Sequence, residues 1–166
     1  MDARSFANEA VGLHDRLARA VFAICGDASL AEDSAQEALV RAWERVDAGE
    51  ELASLEAWSM TVSLNWCRQQ LRRRGAERRA LHRVGPPVPE ELEARTLAED
   101  VTEAVLALPR RQREVVVLHY LLDLGVDSIA EIVGSSSGAV RNALFHARSA
   151  LSARLAPAHP GQEASR

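Results

Sequence analysis

All twenty basic residues of this 166-residue chain are arginines. A guanidinium stays protonated at physiological pH and presents five donors in a planar fork, so it recognises anions rather than moving protons. Seven of the twenty fall between positions 68 and 83, against the single acid Glu77. Just before and within that run, Trp58, Thr61, Asn65, Arg68 and Arg72 recur at i, i+3, i+7, i+10 and i+14, flanked by Gln69, Arg73 and Arg74. On a helix that spacing makes one face: an aromatic ring, then amides, then guanidiniums. Such a face suits unstacked bases and a strand backbone. Stacking contributes about 1–3 kcal/mol per base, and the arginines add a salt-dependent affinity for phosphate. The alternative is that Trp58 and Trp66 are core and the arginines answer the helix dipole.

A second set lies near the C-terminal end. Arg141, Phe145, Arg148 and Ser152 fall at i, i+4, i+7 and i+11, with Asn142 alongside. Arginine pairs bidentately with guanine and asparagine with adenine, and an exposed ring can touch a thymine methyl. Ser135, Ser136 and Ser137 stand where a helix N-terminus could hold a phosphate. Upstream, Ala130, Gly134 and Val140 have the offsets of a helix-turn-helix: a small residue at the crossing, a glycine at the turn and an apolar anchor. An ordinary helical hairpin with a solvated face is the competing reading. A third set, Asp33, Gln36, Glu37, Arg41 and Glu44, lies outward beside Val40 while Trp43 faces inward. It reads either as a solvated face or as a charge-matched docking surface for a protein.

Catalytic chemistry finds little support. Without lysine there is no Schiff-base nucleophile and no phosphate-loop lysine. The five histidines are scattered, and no zinc-spaced Cys/His cluster, HExxH, GxGxxG or GxSxG is present. Cys25 and Cys67, 42 positions apart, read as buried free thiols. No cofactor is expected. The net charge of −4 hides a strong segregation. Residues 1–67 carry 5 arginines against 12 acids, and residues 84–109 carry one against 6. From Ile132 to Gln162 there is no acid at all. A polyanion within a Debye length of about 10 Å feels the local patch, not the sum.

The elements that must position these residues are helical throughout, since apolar residues recur at helical spacing and strand-like alternation is absent. Leu13, Leu17, Val21 and Ile24 form one stripe, stopped by Gly26-Asp27. Ser29 to Glu32 has the form of a capping box, opening a helix with Ala35, Leu39, Ala42, Trp43 and Val46 inward. Ser54 caps a third helix, with Met60, Leu64, Cys67 and Leu71 inward, to about Arg74-Gly75. Gly85-Pro86-Pro87-Val88-Pro89 has linker composition. Beyond it Leu97, Val101, Ala104, Val105 and Leu108 line a helix, and the next carries Val117, Leu118 and Leu121. Asp127 caps a short helix from Ser128 to Val133, and Ser135 or Ser136 caps the last, with Val140, Leu144, Ala147, Leu151 and Leu155 inward. The fold expected is all-α: two small helical domains, residues 1–84 and 96–156, joined by a short linker at 85–95 and followed by a tail at 157–166. The second domain contains the helix-turn-helix. No membrane insertion and no signal peptide are expected, which makes the cytoplasm the default.

Three stretches taken together resemble a bacterial RNA polymerase sigma factor of the extracytoplasmic-function (ECF) group. They are Ala31 to Trp43; Ala57-Trp58 through Asn65 to the Arg72-Arg73-Arg74 run; and Leu108-Pro109-Arg110-Arg111-Gln112-Arg113-Glu114 with the apolar residues after it and the helix-turn-helix to Leu151. The resemblance implies two helical lobes, sigma regions 2 and 4, and no catalytic activity. It implies that Asp33, Gln36, Glu37, Arg41 and Trp43 dock on core polymerase. Trp58, Thr61, Asn65, Arg68, Arg72, Arg73 and Arg74 then read and open the −10 element. Ser135, Ser136, Ser137, Arg141, Asn142, Phe145, His146 and Arg148 meet the −35 element. Core polymerase, promoter DNA and an anti-sigma factor are the implied partners, with a monomer when free. Three departures bear on DNA contact. Gln69 stands where the group has Asp, Ala143 and His146 stand where basic residues are common, and Gly138-Ala139-Val140 lacks a hydroxyl. Two other readings remain open at this point: a stand-alone helix-turn-helix regulator, and a degenerate sigma lobe that only binds an anti-sigma partner.

Overall fold

The computed structural model describes residues 3–81 and 97–156. These form seven helices: α1 (Ala3–Cys25), α2 (Ala28–Asp47), α3 (Leu55–Leu81), α4 (Leu97–Leu106), α5 (Arg110–Tyr120), α6 (Val126–Val133) and α7 (Ser137–Leu155). The expected linker at 85–95 and tail at 157–166 lie outside the described residues. Among the described residues there is no strand, and no helix is long and apolar enough to cross a membrane.

The first lobe is α1, α2 and α3. Phe6, Leu13, Leu17, Val21 and Ile24 are buried along α1, as the stripe predicts. α2 answers with small residues: Ala31, Ser34, Ala35, Ala38 and Ala42 are all buried, which lets the backbones approach closely. α3 buries Leu55, Met60, Leu64 and Cys67, with Ser59 and Ser63 between them. The turn between α1 and α2 corrects one expectation. Gly26 ends α1 with φ +73°, and Asp27 is the N-cap of α2, its Oδ1 accepting from Leu30 N at 2.8 Å. Once Asp27 is extended, Ser29 already lies inside the helix and the capping box cannot form. Ser54 does cap α3, accepting from Ala57 N at 3.2 Å. The helix then runs through Gly75 to Leu81, past its expected end, because one glycine costs a helix only about 1 kcal/mol. Leu71 lies partly exposed instead of inward.

The second lobe is α4 to α7. Five successive residues of α5, Glu114 to Leu118, are buried. A helix apolar around so much of its circumference must be covered on several sides. Here α6 and α7 cover one side and α1 of the first lobe another. Leu121 is exposed and Leu122 buried, the reverse of the expected phase, because α5 stops at Tyr120 and Asp123 turns the chain at φ 52°. α6 starts at Val126 with Gly125 as its N-cap, so Asp127 lies in the first turn and does not cap it. Gly134, at φ 62°, donates to the carbonyls of Ala130 and Glu131 and turns the chain into α7. Ser136 caps α7, accepting from Ala139 N at 3.2 Å, and Val140, Leu144 and Ala147 are buried below it. That is the helix-turn-helix the offsets foretold.

The lobes touch. α4 and α5 pack on α1, and α6 approaches α3. A Cβ on Gly26 would lie 3.3 Å from Leu106 Cδ2, so this glycine serves the turn and the lobe contact together. The Arg113 guanidinium crosses to donate to Ile24 O at 2.7 Å and closes back on Leu108 O at 3.1 Å. Burial there holds its proton affinity below the ordinary guanidinium value.

Candidate nucleic-acid interface

α7 presents the face its spacing predicts. Arg141, Asn142, Phe145, His146 and Arg148 are exposed, while Val140, Leu144 and Ala147 anchor the opposite side. Phe145 is 67% exposed, a large apolar ring with no core to enter. It meets His146 edge-on, ring centroids 5.5 Å apart. Arg148 is already held: its Nε donates to Tyr120 Oη at 2.6 Å, and the guanidinium lies 5.7 Å from that ring's centroid. This pair lies on the surface, so Tyr120 steers Arg148 without burying its charge. The serines are less free than expected. Ser136 Oγ is spent on the cap, and Ser137 Oγ donates to Asp127 Oδ1 at 2.5 Å. A phosphate at this helix start would meet the Asp127 carboxylate beside it.

On α3 the predicted residues divide. Asn65, Arg72 and Arg73 are exposed. Together with Arg41 of α2, and with Val62, Trp66, Arg68 and Gln69, Asn65 and Arg72 line one open cleft of about 430 Å³. Trp58 lies lower, half-buried, with the Arg45 guanidinium 5.4 Å from its ring centroid. The Thr61 hydroxyl is turned back onto Ala57 O at 2.8 Å. Arg74 pairs with Asp27 Oδ2 at 2.6 Å, at the α1–α2 turn. Arg68 lies between the lobes. Its Nη2 and Nε donate to the two carboxylate oxygens of Glu114 at 2.9 and 3.2 Å, while Nη1 reaches Asn65 Oδ1 at 3.1 Å. Glu114 is 2% exposed and also accepts from Arg110 Nε at 2.9 Å. In this arrangement Arg68 serves the contact between lobes.

Trp66 is the residue that sequence reasoning passed over. It was weighed only as core, yet it lines the cleft beside Asn65. Val62, Trp66 and Gln69 stand at i, i+4 and i+7, a stripe one residue on from the predicted one. The outer face of α2 carries Asp33, Gln36 and Arg41 exposed, with Val40 between them. Arg41 donates to Glu37 Oε1 at 2.8 Å, a surface pair of small energetic weight. Trp43 points inward as expected, its ring centroid 5.2 Å from that of Phe6. Arg41 thus joins two predicted surfaces, the α2 face and the α3 cleft. No group of three or more metal-ligating side chains occurs among the described residues.

These elements agree with what the chain is similar to. The family profile of sigma-70 region 2 matches residues 12–77, and that of sigma-70 region 4 matches residues 98–151. The probable RNA polymerase sigma factor RfaY of Xanthomonas campestris pv. campestris is 32% identical over 136 residues, covering 76% of this chain and 34% of that protein. The chain therefore spans about a third of that relative's length. The ECF RNA polymerase sigma factor EcfG of Rhodopseudomonas palustris is 30% identical over 138 residues, covering 80% of this chain and 75% of that protein. In structure, the sigma factor RpoE of Bartonella quintana, crystallised with the anti-sigma factor NepR, superposes with a TM-score of 0.77 at 24% identity, over 92% of this chain and 98% of that one. Two helical lobes, each matched by its own sigma region, thus form one known fold, and the chain belongs to the ECF RNA polymerase sigma factors.

Proposed function

We propose that this chain binds core RNA polymerase through the outer face of α2 and directs initiation at its own class of promoters. α7 enters the major groove at the −35 element, with Arg141, Asn142 and Phe145 toward base edges and Arg148 toward the backbone. The α3 cleft, with Asn65, Gln69, Arg72 and Trp66, takes bases released from the non-template strand at the −10 element. Strand capture there offsets the few kcal/mol that unstacking costs. The chain supplies no bond-making step; polymerase does that. The cytoplasm is the compartment this work requires, and an anti-sigma partner of the kind crystallised on the RpoE relative belongs to the same proposal.

The observation that carries the reading is the pair of separate outward faces, an exposed ring among guanidiniums on α7 and a polar aromatic cleft on α3, each on a lobe matched by its own sigma region. The test is run-off transcription with sigma-free core enzyme, on templates chosen by mapping transcript starts after overproduction. Added chain should produce promoter-dependent transcripts and comigrate with core. Failure to associate with core would end the proposal, and dimers on palindromic duplexes without polymerase would identify a stand-alone regulator instead.

A further inference from the structure

Beneath the lobe contact lies a small cleft of about 190 Å³ that none of the proposed DNA or polymerase contacts explains. Both cysteines of the chain line it, Cys25 from the end of α1 and Cys67 from the middle of α3, and both are free thiols. Arg110 and Arg113 stand at the same cleft. Cys25 is part-exposed, and its sulfur accepts from Asp27 N at 3.4 Å. Cys67 is 2% exposed and lines the same cleft from the α3 side. A part-exposed sulfur that meets a backbone donor at a cleft shared with two guanidiniums, with a second, buried thiol lining the same cleft, has the makings of an attacking thiol and its resolving partner. We propose that Cys25 and Cys67 form a redox-active dithiol, which a hydroperoxide oxidises to an intramolecular disulfide.

The steps balance. The Cys25 thiolate attacks one oxygen of the hydroperoxide and breaks the O–O bond. This leaves a sulfenic acid on Cys25 and an alkoxide that takes up the proton Cys25 gave up. Cys67 then attacks the Cys25 sulfur and loses its own proton. The S–O bond breaks, and hydroxide leaves with that proton as water. Two thiols and one hydroperoxide give one disulfide, one alcohol (water, when the oxidant is hydrogen peroxide) and one water. The surroundings divide the roles. The hydrogen bond from Cys67 lowers the Cys25 thiol to about 7, against the opposing effects of burial and the Asp27 carboxylate, while the same bond and burial push Cys67 up. Near pH 7 about half of Cys25 is then ionised, against about 1% for a thiol at its ordinary value of 9.0. Because nucleophilicity falls with pKa, the net gain in rate is roughly five- to eightfold. The pair also neighbours both lobe contacts, Cys25 following Ile24, whose carbonyl holds Arg113, and Cys67 preceding Arg68.

The test treats the full reduced chain with stoichiometric hydrogen peroxide, followed by thiol counting and peptide mapping without reductant. The wild type should lose both thiols together and yield a Cys25–Cys67 cross-linked peptide. Cys67→Ser should accumulate a Cys25 sulfenic acid trapped by dimedone. Cys25→Ser should keep its remaining thiol over the same period. Circular dichroism of each variant before oxidation separates chemistry from misfolding. Retention of both thiols, a disulfide between two chains in place of one within the chain, or equal sulfenylation of Cys67 in Cys25→Ser would overturn the proposal.

Discussion

Glu114→Gln tests the lobe contact with a change of almost no volume. The carboxylate is 2% exposed and accepts two hydrogen bonds from Arg68 across the lobes, at 2.9 and 3.2 Å, and one from Arg110 on its own helix at 2.9 Å. A hydrogen bond to a charged group contributes about 1.5–3 kcal/mol, and removing one partner of a buried pair costs about 3–5 kcal/mol. The variant has an escape that a core mutation lacks. If the lobes part, Arg68 reaches water, while Arg110, half exposed already, is solvated in either state. The loss therefore falls mainly on the docked arrangement, and about 2–4 kcal/mol of lobe-docking free energy should go. That shifts the docked-to-open ratio roughly 30- to 1,000-fold. Small-angle scattering of the free chain should show a larger radius of gyration for Glu114→Gln and for Arg68→Met. A double-mutant cycle should show the two changes strongly non-additive. Unchanged scattering in both variants, or strict additivity, would refute the assignment of Arg68 to the interlobe contact.

Other expectations follow from the same geometry. Arg141→Ala and Phe145→Ala should each lower promoter output through the −35 element by about 1–3 kcal/mol of recognition while leaving the melting midpoint unchanged, since both side chains are exposed. Measured with holoenzyme on a melted −10 template, the double variant Arg72→Ala/Arg73→Ala should reduce the slope of log affinity against log salt by about 1.4. Trp66→Ala should weaken strand capture by about 1–3 kcal/mol without affecting duplex −35 binding. Alkylation of Cys25 should reach half its limiting rate at about pH 7. Because unfolded Cys25 keeps its proton up to its ordinary value of 9.0, the unfolded chain binds more protons between there and about 7, so the Cys25 contribution to stability rises with pH across that window. Cys67, pushed the other way, reduces stability above it. Leu17→Ala, at a fully buried position, should cost about 2–5 kcal/mol in a urea melt.

The parts legible in the sequence are those whose physics is local. The α1 stripe from Leu13 to Ile24, the Ser54 cap, the Gly134 turn and the α7 face each depend on neighbours within a few turns, and each occurs as expected. The capping box expected at Ser29 gives way to Asp27, because the left-handed Gly26 before it leaves Asp27 extended and starts the helix at Ala28, earlier than the box requires. The role of Arg68 could not be read at all, since its partner lies 46 positions away on another lobe. A signal was nonetheless present: an acid placed directly before four apolar residues, within the buried stretch of a helix, must find a cation. Trp66 was passed over for a similar reason. Periodicity alone cannot tell whether a tryptophan lines the core or a cleft between two helices.

The row of alanines along α2 has a mechanical effect. Alanine has no rotamers to exchange, so the α2 side of its joint with α1 and α3 is a fixed spacing, and any repacking there falls to Leu17, Met60 and Leu64. Arg41 rises from that same helix to the rim of the α3 cleft, so its distance from Trp66 follows from where α2 rests.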